Sequence, residues 1–376
     1  MGSRRTTRTG GQGSRMTGVV SGFVLKLARQ SAALTQERLA EALAVDLSTV
    51  QSWESGRRPV AAMQTGEFLR LSSRLSRLGA PPSTGRHLRE AIAADHVLST
   101  GITAGVGWVD AEVHPLAAGV HRRTISNLIT WPIVGEMPHH LRVFTTGRGA
   151  TLGRRGPAPV CPALSVEERT RFLDHLLAVA ERSRGDGEAL LRRQAVYLLG
   201  FDHRSHVVEW LRKDWIRASR RPVSAGDVTG LLEARSASVA LAAAGDASRL
   251  HDFVEHTNGE RDEVANLNYW AHWIGELDEE QVDDAFMLDD DTRSWTGVRL
   301  LQHLMTRLQP DAAHLPLNLH TLHALIASRP SLLPGRPDVQ ATLGGVLDRL
   351  GSVDDLPRTL REQVAGVRYA LRLADR

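Results

Sequence analysis

Five residues spaced along one predicted helix carry the side chains that would meet a partner: Leu47, Ser48, Thr49, Gln51 and Ser52. Hydroxyl and carboxamide groups donate and accept hydrogen bonds, which is the chemistry that reads base edges in a DNA groove. These residues are expected to face outward, because Val50 and Trp53 take the inward positions of the same helix. The spacing therefore predicts a polar surface backed by an apolar one.

Two short helices joined by a tight turn must position this surface. Thr35 is suited to cap the first helix, expected over 36–43, because its hydroxyl can accept a backbone N–H of the first turn. Asp46 is suited to cap the second helix, expected over 47–54, and Gly56 fits the positive φ that often follows a helix. Two helices in this arrangement form a DNA-reading unit in which the second enters the major groove.

The same stretch resembles the helix-turn-helix of the Xre / Cro-CI repressor family. The residues that carry the resemblance are Leu34, Thr35, Gln36, Leu39, Ala40, Val45, Ser48, Thr49, Val50, Trp53, Glu54, Ser55, Gly56 and Arg57. The resemblance extends upstream to about Gly22 and downstream through Phe68 and Leu71, and it covers roughly 60 of the 376 residues. It implies a lambda-repressor-like, all-helical domain that binds double-stranded DNA.

The resemblance also implies roles for individual side chains. Gln36, at the start of the first helix, should contact a phosphate or a base. Gln51 is the strongest base-reading candidate, because its carboxamide can bond adenine N7 and N6 together. Arg57 and Arg58 lie just past the second helix and suit phosphate contacts. The full DNA-contacting set is Gln36, Leu47, Ser48, Thr49, Gln51, Ser52, Arg57 and Arg58.

Other positions of the stretch are structural or depart from the family pattern. Arg29 and Glu54 resemble a structural ion pair of the family and are not expected to read DNA. Ala44 stands where the turn usually has Gly, so the backbone there must accommodate a Cβ. Asp46 places an acid near DNA phosphates. Its charge suits a helix N-terminus but would repel the DNA backbone if it pointed outward.

Charge is divided unevenly along the chain, although the net charge is only +3. Residues 1–90 hold 14 basic and 6 acidic side chains, a net of +8, and the remainder holds 32 basic and 37 acidic, a net of −5. A basic segment beside an acidic body is expected when one part of a protein meets a polyanion. Only Lys26 and Lys213 are lysines. This excess of arginine indicates a GC-rich genome and is not evidence for nucleic-acid binding.

Residues 1–16 are expected to form a disordered basic tail, because they contain four arginines, no acid and almost no apolar side chain. Three alternatives stay open. An idle tail, or a mis-assigned start with Met16 as the true first residue, is favoured over a basic arm in the minor groove. No apolar segment predicts a secretory signal or a membrane span. Cys161 is the single cysteine, which fits a reducing compartment. The expected location is cytoplasmic and nucleoid-associated.

The segment over 80–162 is rich in Gly, Pro and single His residues. It predicts an irregular connector with short helices, between a helix-turn-helix domain over 17–79 and a helical-repeat body over 163–376. One of the short helices is expected over 122–131 and is predicted to be halted by Pro132, which cannot donate a backbone hydrogen bond.

The body shows helical periodicity to its end and no sustained β alternation. Ser165 and Glu168 form a capping-box pattern at its start. Further helices are expected at about 188–199, 203–218, 225–244, 247–257, 261–276, 293–308, 317–328, 337–350 and 356–374. Comparable helix starts recur 41, 33 and 34 residues apart, at Leu190, Leu231, Val264 and Val298. This spacing is near the 34-residue period of TPR-like helical hairpins and predicts an α-solenoid with a concave groove.

An aromatic string within the body has two interpretations. Asn266, Tyr269, Trp270 and Trp273 fall along one side of a predicted helix. In the favoured interpretation they pack in the core, with asparagine bonding a neighbouring backbone. In the other, Asn266 and Asn268 hold the backbone of a peptide bound in the groove. The layout of the whole chain resembles that of peptide-pheromone-sensing regulators. This resemblance lies in the layout and not in matched motifs, so it implies no ligand-binding residue.

Patterns for catalysis or metal binding are weak. Three histidine pairs lack an acid or cysteine at ligand spacing or lie in a predicted loop: His203 with His206, His320 with His323, and His139 with His140. The chain has no HExxH motif, no P-loop and no GxSxG with partners. The sequence therefore predicts no enzyme activity, no metal and no cofactor.

These observations together predict an all-α, sequence-specific transcription regulator, with repression the commoner outcome of the resemblance. A homodimer would place two recognition helices in successive major grooves of an inverted repeat. The body would supply the dimer contact or a groove for a peptide, small-molecule or protein ligand. One alternative is an interaction adaptor whose solenoid recruits a partner, with DNA binding secondary. A weaker alternative is an enzyme hidden in the body.

Overall fold

The computed structural model is all-α, with no β-strand among the residues that it describes. Those residues are 18–119, 121–122, 124–145, 161–220, 228–256, 259–277, 279, 281, 283–289, 295–352 and 356–374. The predicted tail over 1–16 lies outside them. The chain divides into two compact units, which comprise 1–107 with 127–175 and 108–126 with 176–376. The predicted domain boundaries stay predictions.

The helices follow one another with short connections through most of the chain. The first eight are α1 (Val19–Ser31), α2 (Gln36–Leu43), α3 (Leu47–Glu54), α4 (Thr65–Arg77), α5 (Thr84–Ala104), α6 (Pro115–Gly119), α7 (Ile125–Val134) and α8 (Val166–Arg182). The next nine are α9 (Ala189–Leu199), α10 (Ser205–Ser219), α11 (Val228–Ala243), α12 (Ser248–His256), α13 (Glu260–Ile274), α14 (Val298–Arg307), α15 (Leu315–Ser328), α16 (Pro337–Gly351) and α17 (Arg358–Ala374). Short 3₁₀ segments lie at Val60–Ala62, His139–Phe144, Asp186–Glu188, Ala285–Leu288 and Pro330–Leu332. Among the residues described, no helix has the length and apolar character needed to cross a membrane.

Helix α1 is the centre of the first unit and packs against α3, α5 and the 3₁₀ segment His139–Phe144. Its inward side chains are fully or nearly fully buried, as their apolar types require: Val20, Phe23, Val24, Leu25 and Ala28. Phe23 meets the ring of Trp131 edge-on, with centroids 5.1 Å apart. Because α3 and α5 share α1 as a neighbour, the position of the second helix of the helix-turn-helix depends on this packing.

A buried carboxylate caps the start of α1. The backbone N–H groups of Val20 and Ser21 donate to the two carboxylate oxygens of Asp95, both at 2.9 Å. Asp95 lies on α5 and is almost completely buried, and this burial raises its pKa to about 7. The first N–H groups of a helix lack partners within it, and Gly18 before α1 has no side chain to serve them. Asp95 therefore ties α1 to α5 and satisfies those groups.

In the second unit the odd-numbered helices α9, α11, α13, α15 and α17 contact one another in series. Helix α11 also contacts α10 and α12, and nearly all its side chains are buried, as expected for a helix enclosed on every side. Serial contacts of this kind are typical of stacked helical hairpins. The nine helices predicted between 188 and 374 are confirmed, and their ends agree to within about five residues where the structure describes them. The predicted ends at 225, 257 and 293 lie outside the described residues.

Two local predictions have opposite outcomes. The capping box is confirmed, since the Ser165 N–H donates to Glu168 Oε2 at 2.8 Å and the Glu168 N–H donates to Ser165 Oγ at 3.2 Å. The predicted halt at Pro132 is wrong, because α7 continues through it to Val134. Proline removes only one helical hydrogen bond, and the buried side chains around Pro132 hold the helix until Gly135, with φ of 79°, ends it.

Candidate nucleic-acid interface

The cap of α2 and the turn that leads to α3 are formed by Thr35 and Ala44. Thr35 Oγ1 accepts the Arg38 N–H at 3.2 Å, so the predicted cap of α2 is confirmed. Ala44 ends α2 in the left-handed region, with φ of 55° and ψ of 46°. The Val45 N–H then donates to the Ala40 carbonyl at 3.1 Å, a bond that closes a helix C-terminus at a left-handed residue. The turn therefore tolerates a Cβ where the resembled family usually has Gly.

Asp46 holds the N-cap position of α3 by its backbone alone. Its φ and ψ of −68° and 147° are those of a cap residue, but its side chain accepts no capping hydrogen bond. The expectation that its carboxylate caps α3 is therefore wrong. The backbone carbonyl of Asp46 instead accepts the N–H groups of Thr49 at 2.9 Å and Val50 at 3.4 Å, which begins the helix without help from the side chain.

The inner face of α3 is fixed against α1 by a very close backbone approach. Val50 and Trp53 are buried there, as predicted. A Cβ built on Gly22 of α1 would lie 2.3 Å from the Trp53 carbonyl oxygen, a distance that no real Cβ contact reaches. Gly56 follows α3 with φ of 73°, as predicted. A Cβ built there would meet the carbonyl carbon of Gly18 at 2.9 Å. Two glycines thus allow α3 to seat on α1.

A charged cluster joins α1, the start of α2 and the end of α3. Arg29 binds Glu54 in a bidentate pair, Nε to Oε1 at 2.6 Å and Nη2 to Oε2 at 3.0 Å, and Nη1 donates to the Leu34 carbonyl at 2.6 Å. The predicted structural ion pair is confirmed. The amide nitrogen of Gln36 donates to Glu54 Oε2 at 2.7 Å. Glu54 therefore orients Gln36, the residue implied to contact DNA from α2.

The outer face of α3 presents the remaining predicted residues. Ser48 and Gln51 are exposed, and Leu47, Thr49 and Ser52 are partly exposed. A shallow depression of about 200 Å³ is lined by Ser48, Thr49, Ser52, Arg57 and Arg58. The structure thus gathers five of the eight predicted residues around one concave surface, with Leu47 and Gln51 on the same helix beside it.

The two arginines beside α3 are exposed. The Nε atom of Arg57 donates to Ser55 Oγ at 3.2 Å, and the guanidinium of Arg58 lies 6.0 Å from the centre of the Trp53 ring. Within the part of the chain that the structure describes, neither pairs with a carboxylate. Both charges can therefore meet phosphate without first breaking an internal ion pair.

The asparagines of the aromatic string serve the interior of the second unit. Asn268 donates to the backbone carbonyls of Phe286, Met287 and Asp289, at 3.4, 3.2 and 2.9 Å, and its Oδ1 accepts Trp295 Nε1 at 3.0 Å. Asn266 donates to Thr321 Oγ1 at 3.1 Å. Both side chains are buried. The core interpretation is confirmed for the two asparagines, although only Asn268 bonds a backbone, while Tyr269, Trp270 and Trp273 are partly buried. Asn268 has no group left to hold a peptide.

A polar cavity of about 280 Å³ lies elsewhere in the second unit. Arg192 binds Asp214 and lies 3.8 Å from Glu233, and Arg217 binds the same two acids at 3.0 and 3.2 Å. Two lining atoms, Ser183 Oγ and Asp214 Oδ2, are buried without a hydrogen-bond partner among the described residues. No sequence motif indicated this cavity, because its lining comes from α8 to α11.

Comparison with known proteins bears on the N-terminal region alone. Residues 25–62 match the helix-turn-helix family model, a span that contains all eight predicted DNA-contacting residues. No curated protein and no solved structure matches the chain. The match supports a DNA-binding regulator with an Xre-type helix-turn-helix, and it leaves the body without a named relative.

Proposed function

We propose that this protein is a sequence-specific transcription regulator that reads DNA with the outer face of α3. The observation that carries the proposal is the combination on that face of exposed hydroxyl and carboxamide groups with two arginines that pair with no carboxylate among the described residues. In the proposed complex, Gln51 bonds a base edge and Ser48, Thr49 and Ser52 contact neighbouring bases, with Leu47 in apolar contact.

The arginines and the glutamine have different tasks in this proposal. Arg57 and Arg58 bind phosphates and supply affinity that does not depend on sequence. Gln36 holds a phosphate or base at the start of α2, oriented by Glu54. No arginine lies on α3 itself, so the bidentate contact to guanine that arginine makes elsewhere is absent from this helix. Specificity then falls mainly on Gln51 and favours adenine at its position.

One α3 helix offers few base contacts, and so we propose that the protein binds as a homodimer. A two-fold dimer would set two α3 helices in successive major grooves of an inverted repeat, about 34 Å apart. The helical-repeat, TPR-like body would supply the dimer contact. The expected outcome of binding is repression by occlusion of the promoter. The protein itself is expected in the cytoplasm, associated with the nucleoid.

The body is also the proposed place for an effector. The cavity between Arg192, Asp214 and Glu233 supports this proposal. A small polar ligand there could donate a hydrogen bond to Asp214 Oδ2, and could donate to Ser183 Oγ or accept from it. A ligand that binds this cavity would alter DNA affinity only if its affinity differs between the free and DNA-bound states.

A salt titration of binding to random duplex DNA tests the central proposal. The logarithm of the binding constant should fall linearly with the logarithm of salt concentration, with a slope of about −0.9 for each phosphate contacted. Full-length protein and fluorescence anisotropy suffice. If no binding is measurable even at low salt, the proposal fails and the adaptor alternative, in which the body recruits a protein partner, takes its place.

Selection from a random duplex library then tests sequence specificity. An inverted repeat with adenine near the centre of each half-site is the expected result. Enrichment of a single half-site would contradict the dimer, and no enrichment would contradict sequence-specific reading while leaving the electrostatic contact intact.

A further inference from the structure

Three potential metal ligands converge in the first unit, away from the outer face of α3. His87 and Glu90 lie one turn apart on α5, and His140 lies on the 3₁₀ segment His139–Phe144. One imidazole nitrogen from each histidine and one carboxylate oxygen lie within 4.8 Å of one another. Among the residues that the structure describes, no other three such side chains lie close enough together to share a metal ion.

The spacing of these atoms is near that of a metal site. A zinc ion with bonds of 2.0–2.1 Å holds tetrahedral ligand atoms about 3.3 Å apart. The His87 Nδ1 and Glu90 Oε2 atoms are already 3.1 Å apart. The atoms of the group are separated by at most 4.8 Å, so ligation needs a closure of about 1.5 Å or less. Side-chain rotation can supply that closure without a change of fold.

An ordinary helical pair does not account for the cluster. The contact between His87 and Glu90 could stand alone as an i, i+3 ion pair. His140, however, brings its ring to 5.3 Å from the ring of His87. Its Nε2 atom is buried without a hydrogen-bond partner among the described residues. A buried polar atom without a partner is unfavourable, and coordination of a metal ion through this nitrogen would satisfy it.

The surroundings suit a site with an open position. Phe144 packs edge-on against His87, with ring centroids 5.7 Å apart, and forms an apolar wall. His87 itself is almost fully buried, while the Glu90 side chain keeps 21% of its surface exposed. Two imidazoles and one carboxylate leave a fourth tetrahedral position for water or an incoming ligand. This donor set suits zinc and excludes magnesium, which prefers oxygen ligands.

We propose that His87, Glu90 and His140 bind a zinc ion that links α5 to the 3₁₀ segment His139–Phe144. Both elements pack against α1, and α1 is the helix on which α3 is seated. Occupation of the site would therefore stabilise the support of the candidate nucleic-acid interface. The sequence spacing could not reveal it, because His87 and His140 are 53 residues apart.

Isothermal titration of zinc into the full-length protein, freed of any affinity tag, tests the inference. His139→Ala is the matched control, because His139 is exposed and adjacent in sequence to His140 but outside the cluster. Wild type and His139→Ala should each bind one tight equivalent, and magnesium should not compete. Loss of outer-shell partners alone weakens metal sites about 10- to 100-fold, so His140→Ala should weaken zinc binding by at least about 100-fold.

Glu90→Gln serves as a second variant, since it keeps the size of the side chain and removes its charge. It should weaken zinc binding by at least about tenfold. Zinc should raise the melting temperature of wild type and of His139→Ala but not of His140→Ala, with circular dichroism showing that all are folded without metal. The inference fails if wild type binds no tight equivalent, or if His140→Ala and His139→Ala bind zinc equally well. Neither result depends on DNA binding.

Discussion

The two units use the same kinds of polar side chain in opposite ways. On α3 of the first unit, Ser48 and Gln51 face solvent, backed by an apolar inner face. On α13 of the second unit, Asn268 is buried, and both polar atoms of its amide form hydrogen bonds within the unit, one to Asp289 and the other to Trp295. An outward polar group is available to a partner, whereas an inward one fixes the arrangement of helices. The side chain's environment, and not its type, separates a binding role from a structural one.

Charged groups repeat the contrast. In the second unit Arg193 binds Asp284 at 2.7 and 3.0 Å, and both members of the pair are held within the unit. In the first unit Arg29 and Glu54 do the same, whereas Arg57 and Arg58 pair with no carboxylate in the described part of the chain. A buried pair loses hydration and gains a fixed geometry, whereas an exposed arginine keeps its charge for a polyanion. The predictions below test each side of this difference.

The largest loss of stability from a single substitution at neutral pH is expected where α3 packs against α1. Gly22→Ala places a Cβ 2.3 Å from the Trp53 carbonyl oxygen, so α1 and α3 must separate. The first unit should lose about 3 kcal/mol of stability or more, with faster hydrogen exchange in α1 and α3. Gly66→Ala on α4 is the control, because a Cβ there meets nothing within 4 Å and alanine favours a helix. Equal stability of the two variants would refute the close-approach argument.

The next effect concerns the inward amide. Asn268→Ala removes the side-chain donor to three backbone carbonyls and the acceptor of the Trp295 Nε1–H, and the second unit should lose about 2–3 kcal/mol. Asn127→Ala, at an exposed position of α7, should change stability by less than about 0.5 kcal/mol. Denaturant unfolding measures both. Unchanged stability of Asn268→Ala would revive the interpretation of this residue as part of a binding groove.

The outward carboxamide should behave in the reverse way. Gln51→Ala should leave stability unchanged and cost about 2 kcal/mol on the selected DNA site, with relaxed preference at one base position. Gln302→Ala, at an exposed position of α14, should change neither quantity. Fluorescence anisotropy on cognate and single-substitution duplexes distinguishes the cases. A uniform loss on every duplex would show that Gln51 does not read a base.

Local features of α2 and α3 could be predicted from the sequence because they depend on residues that are close along the chain. The bounds Gln36–Leu43 and Leu47–Glu54 follow from apolar spacing, from Thr35 and from the turn at Ala44. The body helices follow from periodicity in the same way. The failed local expectations, the side-chain cap by Asp46 and the halt at Pro132, concern single hydrogen bonds that packing can replace.

Contacts between distant segments could not be predicted. Asp95 caps α1 from 75 residues away, and His140 reaches His87 from another element. No single-sequence pattern carries such a pairing, because it depends on how α5 and the 3₁₀ segment fold onto α1. The same reason hid the cavity around Arg192, whose lining comes from several helices.

The Asp95 cap makes the stability of the first unit depend on pH. Burial raises the pKa of Asp95 to about 7, whereas in the unfolded chain an aspartate titrates near 3.9. The folded state thus favours the protonated acid. The stability that protonated Asp95 contributes to the folded state is fully present below about pH 4. It is lost as the pH rises toward 7, by up to about 1.4 kcal/mol per pH unit.

Asp95→Asn removes this titration and keeps a similar shape. The difference in unfolding free energy, wild type minus variant, should fall between pH 4 and pH 7 and then level off. Denaturant melts across this range measure it, with Asp338→Asn at an accessible helix start as the control. Parallel curves for wild type and Asp95→Asn would show that the buried carboxyl does not titrate in this range.

The smallest effect is expected for Arg57, and it tests the contrast between arginines held in ion pairs and exposed arginines. Arg57→Ala should weaken binding to all duplexes a few-fold, about 1 kcal/mol, and reduce the salt slope by about 1, because one phosphate contact is lost. Arg361→Ala, exposed on α17 of the second unit, removes the same charge from the protein and should leave the slope unchanged. The pair separates a local phosphate contact from an effect of net charge. If both variants lower the slope equally, the loss of binding comes from the change in net charge, and the phosphate contact proposed for Arg57 is contradicted. A loss confined to one sequence would instead place Arg57 on a base edge.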